Sequence, residues 1–258
     1  MTRVRVRHIE IAYTDQGSGA ALVLLHGYPF NRSMWRDQIE ALGDTHRVIA
    51  PDLRGHGESE VAPATIPEMA RDVAGLLTRI GISEAAIAGL SMGGYVALSF
   101  CRQFPERVAA LVLADTRASA ETEDGKQNRA VQAERALREG MGGIADDMLP
   151  KLLSSGSRPA VVSRLRQMIV QTKALGAVAA LQAMALRDDQ TNFLSQINRP
   201  CLILVGRDDV ITPVKDSELM HSEIKESQLV VIEDSGHVSN LEQPERFNQA
   251  LNAFLAAL

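Results

Sequence analysis

The pentapeptide Gly89-Leu90-Ser91-Met92-Gly93 sets a serine between two glycines, where an apolar run (Ala85 to Gly89) turns into a helical one (Met92 to Phe104). So tight a turn leaves no room for side chains at the two glycine positions. It strains the serine backbone and lifts the hydroxyl above the sheet. The amide of Met92, in the first turn of the helix, faces the same point and suits a developing oxyanion. The chemistry these residues could do is acyl transfer, with Ser91 as the nucleophile.

A serine needs a base, and the base needs an orienting acid. His237, in Asp234-Ser235-Gly236-His237, follows the last expected strand and lies on a loop. The other histidines fit the role less well. His8 belongs to an edge strand, His46 opens a buried strand, and His221 sits on a helix among charges. His26 and His56 precede glycines upstream of the serine and read as loop-stabilising groups. For the acid, Asp208 and Asp209 both follow a core strand in Gly206-Arg207-Asp208-Asp209-Val210-Ile211-Thr212-Pro213, and either could face the site. Finally, His26-Gly27-Tyr28-Pro29 directly follows a central strand, so the amide of Tyr28 could be a second oxyanion donor. Serine, acid and base then all lie at carboxyl ends of strands, where an open α/β sheet has its ligand crevice.

The elements that must position these residues can be read from apolar patterning. Arg3 to His8 and Ile9 to Tyr13 alternate with period 2 and read as edge strands, with Arg3, Arg5 and Arg7 on the wet face. Ala21 to His26, His46 to Asp52, Ala85 to Gly89, Val108 to Ala114, Cys201 to Gly206 and Gln228 to Ile232 read as further strands, and the continuous apolar runs among them suit burial on both faces. Helices alternate with them: through Trp35, Ile39 and Leu42; from Pro67 to Gly81; from Met92 to Phe104; from Pro213 to Met220; and from Pro244 to Leu258. This alternation predicts a mainly parallel sheet with helices on both faces. It is interrupted between Thr116 and Asn198, where only helix-like stretches occur: Thr122 to Glu139, Ile144 to Leu153, Pro159 to Ala174 and Ala177 to Leu186. Residues 116–198 are therefore expected to be a helical insertion into a core of residues 1–115 and 199–258.

Bulk properties narrow the class. The 258 residues, 45% hydrophobic and 23% charged, suit a single large globular α/β domain. A formal net charge of -5 with no dense basic run argues against nucleic acid or an anionic membrane surface as partner. The N-terminus lacks the apolar stretch of a signal peptide, and no run approaches the roughly 20 apolar residues of a membrane span. Cys101 and Cys201, each in an apolar run, read as buried free thiols, so a cytoplasmic location is expected.

Together, HGYP at 26–29, DLRGHGES at 52–59, GLSMGG at 89–94, GRDDVITP at 206–213 and SGHVSNLEQPE at 235–245 resemble the blocks of the α/β-hydrolase superfamily, in its order. Within it, the chain looks most like small bacterial arylesterases, cofactor-free haloperoxidases (perhydrolases) and 3-oxoadipate enol-lactonases. The resemblance implies an α/β-hydrolase fold with residues 116–198 as a cap, and no metal or organic cofactor. It also implies Asp209 rather than Asp208, since the family pattern G-x-x-D-x-x-x-P puts the acid fourth. Epoxide hydrolases and haloalkane dehalogenases resemble the chain too, but they need a carboxylate where Ser91 stands.

The expected activity is hydrolysis of carboxylic esters of small, largely apolar molecules through an acyl-enzyme. Phe30 is expected at the substrate, and Met92, Met141, Met148, Met168 and Met184 are further lining candidates. Arg117, Lys126, Arg129 and Arg135 on the insertion are expected to be solvated, which weighs against an acidic lactone substrate. Enol-lactone hydrolysis and carbon–carbon bond hydrolysis remain alternatives, and a non-catalytic ligand receptor is an alternative of another class.

Overall fold

The computed structural model describes residues 2–258. Eight strands form one sheet: β1 (Thr2–Val6), β2 (Ile9–Gln16), β3 (Ala20–Leu25), β4 (His46–Pro51), β5 (Ala85–Leu90), β6 (Val108–Ala114), β7 (Cys201–Gly206) and β8 (Ser227–Ile232). Their order across the sheet is β1-β2-β4-β3-β5-β6-β7-β8. β1 and β2 pair antiparallel, as do β2 and β4, and the remaining pairs are all parallel. The apolar runs of β5 and β7 are buried at every position, as strands covered on both faces must be. β1 is an edge strand. Its Arg3 and Arg5 are exposed, and Arg3 reaches across to Glu10, which discourages pairing with another sheet.

The helices are α1 (Arg36–Leu42), α2 (Ile66–Arg79), α3 (Met92–Gln103), α4 (Glu123–Glu139), α5 (Met141–Leu152), α6 (Pro159–Gln171), α7 (Ala174–Ala185), α8 (Thr191–Leu194), α9 (Val214–Glu223), α10 (Ser239–Glu242) and α11 (Pro244–Leu255). Their starts follow local chemistry. Thr65 and Glu68 form a capping box on α2, with proline in its first turn. The Thr122 hydroxyl accepts from the amide of Gly125 at the start of α4. α3 runs through the core, and its first ten residues are all buried.

Helices α4 to α8 all lie between β6 and β7. The helix expected from Pro159 to Ala174 stops earlier, at Gln171, and α7 begins at Ala174 after a 96° bend. The cause is a tertiary contact. Thr172 adopts an extended backbone, and its hydroxyl lies 2.6 Å from the carbonyl oxygen of Pro29 and 3.0 Å from that of Met168. Among the described residues, no single helix is long and apolar enough to cross a membrane. Cys101 and Cys201 are both buried and unpaired.

This topology decides where a site can form. The chain passes from β3 to β4 on one side and then to β5 on the other, so the connections leaving β3 and β5 diverge at their carboxyl ends. That switch point is the crevice of an open α/β sheet. The segments 26–29 and 89–93 sit there, one after each strand.

Candidate active site

Ser91 follows β5 and caps α3, with φ 54° and ψ -116°. A non-glycine residue in this left-handed region carries strain, which surrounding structure must hold. The neighbouring glycines show why the turn closes. A Cβ on Gly89 would stand 2.1 Å from the Gly93 carbonyl oxygen, and one on Gly93 would stand 2.1 Å from that of Leu25. Helix and strand meet backbone to backbone here, so no side chain fits at either position.

His237 arrives on the loop after β8. Its Nε2 lies 2.8 Å from Ser91 Oγ, and its Nδ1 lies 2.8 Å from Asp209 Oδ2. The His237 amide donates to the Leu152 carbonyl at 2.9 Å, so the end of α5 holds the loop from above. Asp209 is buried, whereas Asp208 is exposed. Four donors saturate the Asp209 carboxylate: Oδ1 accepts from the amides of Ile211 and Thr212 at 2.8 and 2.9 Å, and Oδ2 accepts from the Thr212 hydroxyl at 2.6 Å, with the imidazole completing the set. Thr212 was not legible as a site residue, although its place three residues after the acid is where a hydroxyl can reach back to it.

The electrostatics follow from burial and this pairing. Burial penalises a charged imidazole, but the charge and hydrogen bond of Asp209 outweigh it, and Asp115 adds to them, so the pKa of His237 lies above its ordinary value. Burial likewise opposes charge on Asp209, yet His237 and Thr212 hold its carboxyl below the usual range. Asp209 is thus the charged partner that steadies a protonated His237. Among the described residues, the amides of Tyr28 and Met92 have no protein acceptor.

His26 is buried and its Nε2 accepts from the Leu53 amide at 2.9 Å, while the Nδ1 of the buried His56 lies 3.2 Å from the Arg54 carbonyl oxygen. Both stabilise loops and neither approaches Ser91 in these bonds. Burial lowers the pKa of His26 to about 4 and that of His56 to about 3.

A match to the alpha/beta hydrolase fold extends over residues 20–244. The chain belongs to this family. A thermophilic esterase from Thermogutta terrifontis, solved with malate bound, superposes on this hydrolase with a TM-score of 0.98 at 43% identity, covering 100% of this chain and 99% of that one. The enol-lactonase of Burkholderia xenovorans gives a TM-score of 0.93 at 28% identity, over 99% of this chain and 100% of the other. In sequence, 3-oxoadipate enol-lactonase 2 of Acinetobacter baylyi is 33% identical over 252 residues, 96% of this chain and 92% of its own length.

A cleft of about 510 Å³ is lined by Tyr28, Tyr95, Arg117, Arg129, Arg187 and Met148, among others; Ser91 and His237 are not in its lining, and Tyr28 and Ile211 connect it to the segments after β3 and β7. Three sequence expectations are corrected here. Phe30 is fully buried in the core and lines none of the cleft; Tyr28, two residues earlier, takes that place. Of the methionines, Met92, Met141, Met168 and Met184 are buried and only Met148 reaches the lining. Arg117 and Arg129 are part-buried in the cleft rather than solvated, whereas Lys126 and Arg135 pair on the surface with Glu123 and Glu139. Two of the lining residues gave no sequence signal. Arg187 stacks over the Tyr95 ring at 4.4 Å and, with Arg129, grips Glu121. Burial opposes charge on Glu121, but these two guanidinium groups hold its carboxyl below the usual range.

Proposed function

We propose that this hydrolase cleaves carboxylic esters by acyl transfer, with Ser91 as nucleophile, His237 as base and Asp209 as orienting acid. The observation that carries the reading is the continuous bonding from Ser91 Oγ to His237 Nε2 and from His237 Nδ1 to Asp209 Oδ2, each 2.8 Å. Ser91 Oγ attacks the acyl carbon while His237 Nε2 takes its proton. The carbonyl oxygen becomes an oxyanion held by the amides of Tyr28 and Met92. Collapse breaks the bond to the alcohol, which leaves with the proton from His237. Water, deprotonated by the same nitrogen, then attacks the acyl-enzyme, and the acid departs as Ser91 regains its proton.

The cleft favours substrates that carry an anionic group over purely apolar ones. Its lining includes Arg117, Arg129, Lys151 and Arg187 against Glu121 and Asp147, four cations to two anions in a chain of net charge -5. Arg187 is buried in its contacts, while Arg129, although paired with Glu121, keeps about a fifth of its side chain accessible and can turn its remaining donors to a ligand. The Tyr28 hydroxyl is buried without a partner among the described residues, a donor available to an acceptor on the substrate. Esters or enol-lactones of small carboxylic acids fit this lining, in keeping with the lactonase relatives and the malate of the esterase.

The test is multiple-turnover hydrolysis of p-nitrophenyl acetate through decanoate, of p-nitrophenyl hemisuccinate and of 3-oxoadipate enol-lactone. Wild type and pure, folded Ser91→Ala are compared. We expect turnover in the wild type and a loss of about 10⁴-fold or more in the variant. Turnover that survives in Ser91→Ala overturns the mechanism, and a single stoichiometric burst would favour a receptor. Arg129→Ala should lower kcat/KM for the hemisuccinate about tenfold more than for the butyrate, an effect of one charge-assisted contact. An equal loss for both esters would remove the anionic preference while leaving the mechanism standing.

A further inference from the structure

At the end of β6, the tripeptide Ala114-Asp115-Thr116 touches every loop that carries a proposed reacting group. The Ala114 carbonyl accepts from the Ser91 amide at 2.9 Å, and the Thr116 hydroxyl donates to the Ser91 carbonyl at 2.8 Å. The strained nucleophile turn is therefore held on both sides. Asp115 reaches the other two loops. Its Oδ1 accepts from the Gly206 amide at 2.9 Å, at the start of the turn that carries Asp209. Its Oδ2 accepts from both the amide and the hydroxyl of Ser239, at 3.1 and 2.6 Å, two residues past His237.

Resting on the mechanism above, we propose that Asp115 is a positioning residue of the site: its carboxylate clamps the turn bearing Asp209 to the loop bearing His237. Three further observations support it. Asp115 is wholly buried, and its backbone sits at φ +44°. A side chain other than glycine is held in that region only when its surroundings over-determine it, and such residues cluster at functional sites. The two loops it bridges also meet at van der Waals limits, since a Cβ on Gly206 would stand 2.0 Å from the Gly236 carbonyl oxygen. In that contact a small shift of either loop changes the Asp209–His237 distance. Finally, the amides of Gly206 and Ser239 can only donate, one to each oxygen, so the place calls for a side chain that accepts at both.

The charged and titratable groups facing this cluster are Asp209 from the acid turn, His237 from the base loop and Arg117 from the segment after β6. Burial, and then the charge of Asp209, push Asp115 up to about 7. When ionised, Asp115 favours the protonated form of His237. Removing its charge therefore eases the release of that proton, a change a purely structural strut would not cause.

The experiment compares kcat, KM and the pH profile of kcat/KM for p-nitrophenyl acetate in the full chain: wild type, Asp115→Asn and Ser239→Ala, each first shown to be folded by its melting transition. Asp115→Asn keeps the shape but turns an amide toward the Ser239 donors. We expect its kcat to fall about 10- to 100-fold with KM within about threefold, the scale of a misplaced reacting group. We also expect the acid-side midpoint of its profile to move to lower pH. Ser239→Ala removes only the shortest of the three bonds and should lose about three- to tenfold in kcat. A folded Asp115→Asn with wild-type kcat and midpoint overturns the proposal, as does a variant that is only less stable. If Asp115→Asn does not fold, Ser239→Ala decides, and unchanged kcat in it overturns the clamp. Activity that survives in Ser91→Ala is a separate result, because it removes the mechanism itself.

Discussion

At the scale of single residues, the direction of the His237 shift has a kinetic consequence. A base must be unprotonated to accept the Ser91 proton. Burial alone would make His237 easy to deprotonate, but Asp209 and Asp115 outweigh it and keep the proton on to higher pH. The kcat/KM profile should therefore rise with pH through a midpoint above the ordinary histidine value of 6.5. A p-nitrophenyl acetate profile from pH 5 to 9 checks this, and a midpoint below 6 would contradict the pairing. Ser91 and His237 were legible in sequence because each sits in a short motif whose local geometry dictates its place, glycines around Ser91 and a loop glycine before His237, whereas Asp209 was told from Asp208 only by the family pattern. The lining was not legible. Phe30 and Tyr28 are two residues apart on one loop, and which of them faces the cleft depends on how the loop packs over the sheet, which no local pattern specifies.

At the scale of elements, the alternation of strands and helices was read nearly as it stands, since buried parallel strands announce themselves as unbroken apolar runs. What escaped were the joints between elements distant in sequence. The break at Thr172 answers to Pro29, 143 residues away. Glu242, at the end of α10, is a second joint. Its Oε1 accepts from the Ser154 amide at 3.0 Å and the Ser154 hydroxyl at 2.7 Å, and also from the Ser157 hydroxyl, while Oε2 accepts from the Gly236 amide at 2.6 Å. One buried carboxylate thus ties the segment after α5 to the residue preceding His237. Glu242→Ala would leave those donors buried and unpaired, at about 1–3 kcal/mol each before relaxation. Water can enter at the rim and recover part of this, so a net loss of about 3 kcal/mol is expected, or a melting temperature lower by about 6–12 °C for a chain of this size. Protease cleavage between 152 and 158 should accelerate in the same variant. A melting temperature within about 2 °C of wild type would show that Glu242 does not carry the joint.

For the whole molecule, stability against pH is set by buried groups that pull in opposite directions. His26 and His56 are held neutral with ring centroids 5.0 Å apart, and burial lowers them from 6.5 to about 4 and about 3. The unfolded chain takes up their protons first, so their contribution is complete above 6.5 and is lost as pH falls toward the folded values. By pH 5 each has lost about 2 kcal/mol. Asp115, raised from 3.8 to about 7, has the opposite sign. The folded state takes up its proton first, so stability is gained as pH falls through 7, by about 2 kcal/mol at pH 5. His237, also raised, gains in the same direction. Wild-type stability should therefore fall between pH 7 and 5 by less than the about 4 kcal/mol that the two histidines alone would cost, because Asp115 and His237 offset part of it. The offset can be broken at one member. In His56→Gln the titrating ring is gone, so the deficit of the variant relative to wild type, measured by urea unfolding, should shrink by about 2 kcal/mol between pH 7 and pH 5. The same comparison for Asp115→Asn should move oppositely, its deficit growing as pH falls, because wild type gains there what the amide cannot. Parallel pH dependence in wild type and His56→Gln would mean that His56 is not held neutral in the folded protein.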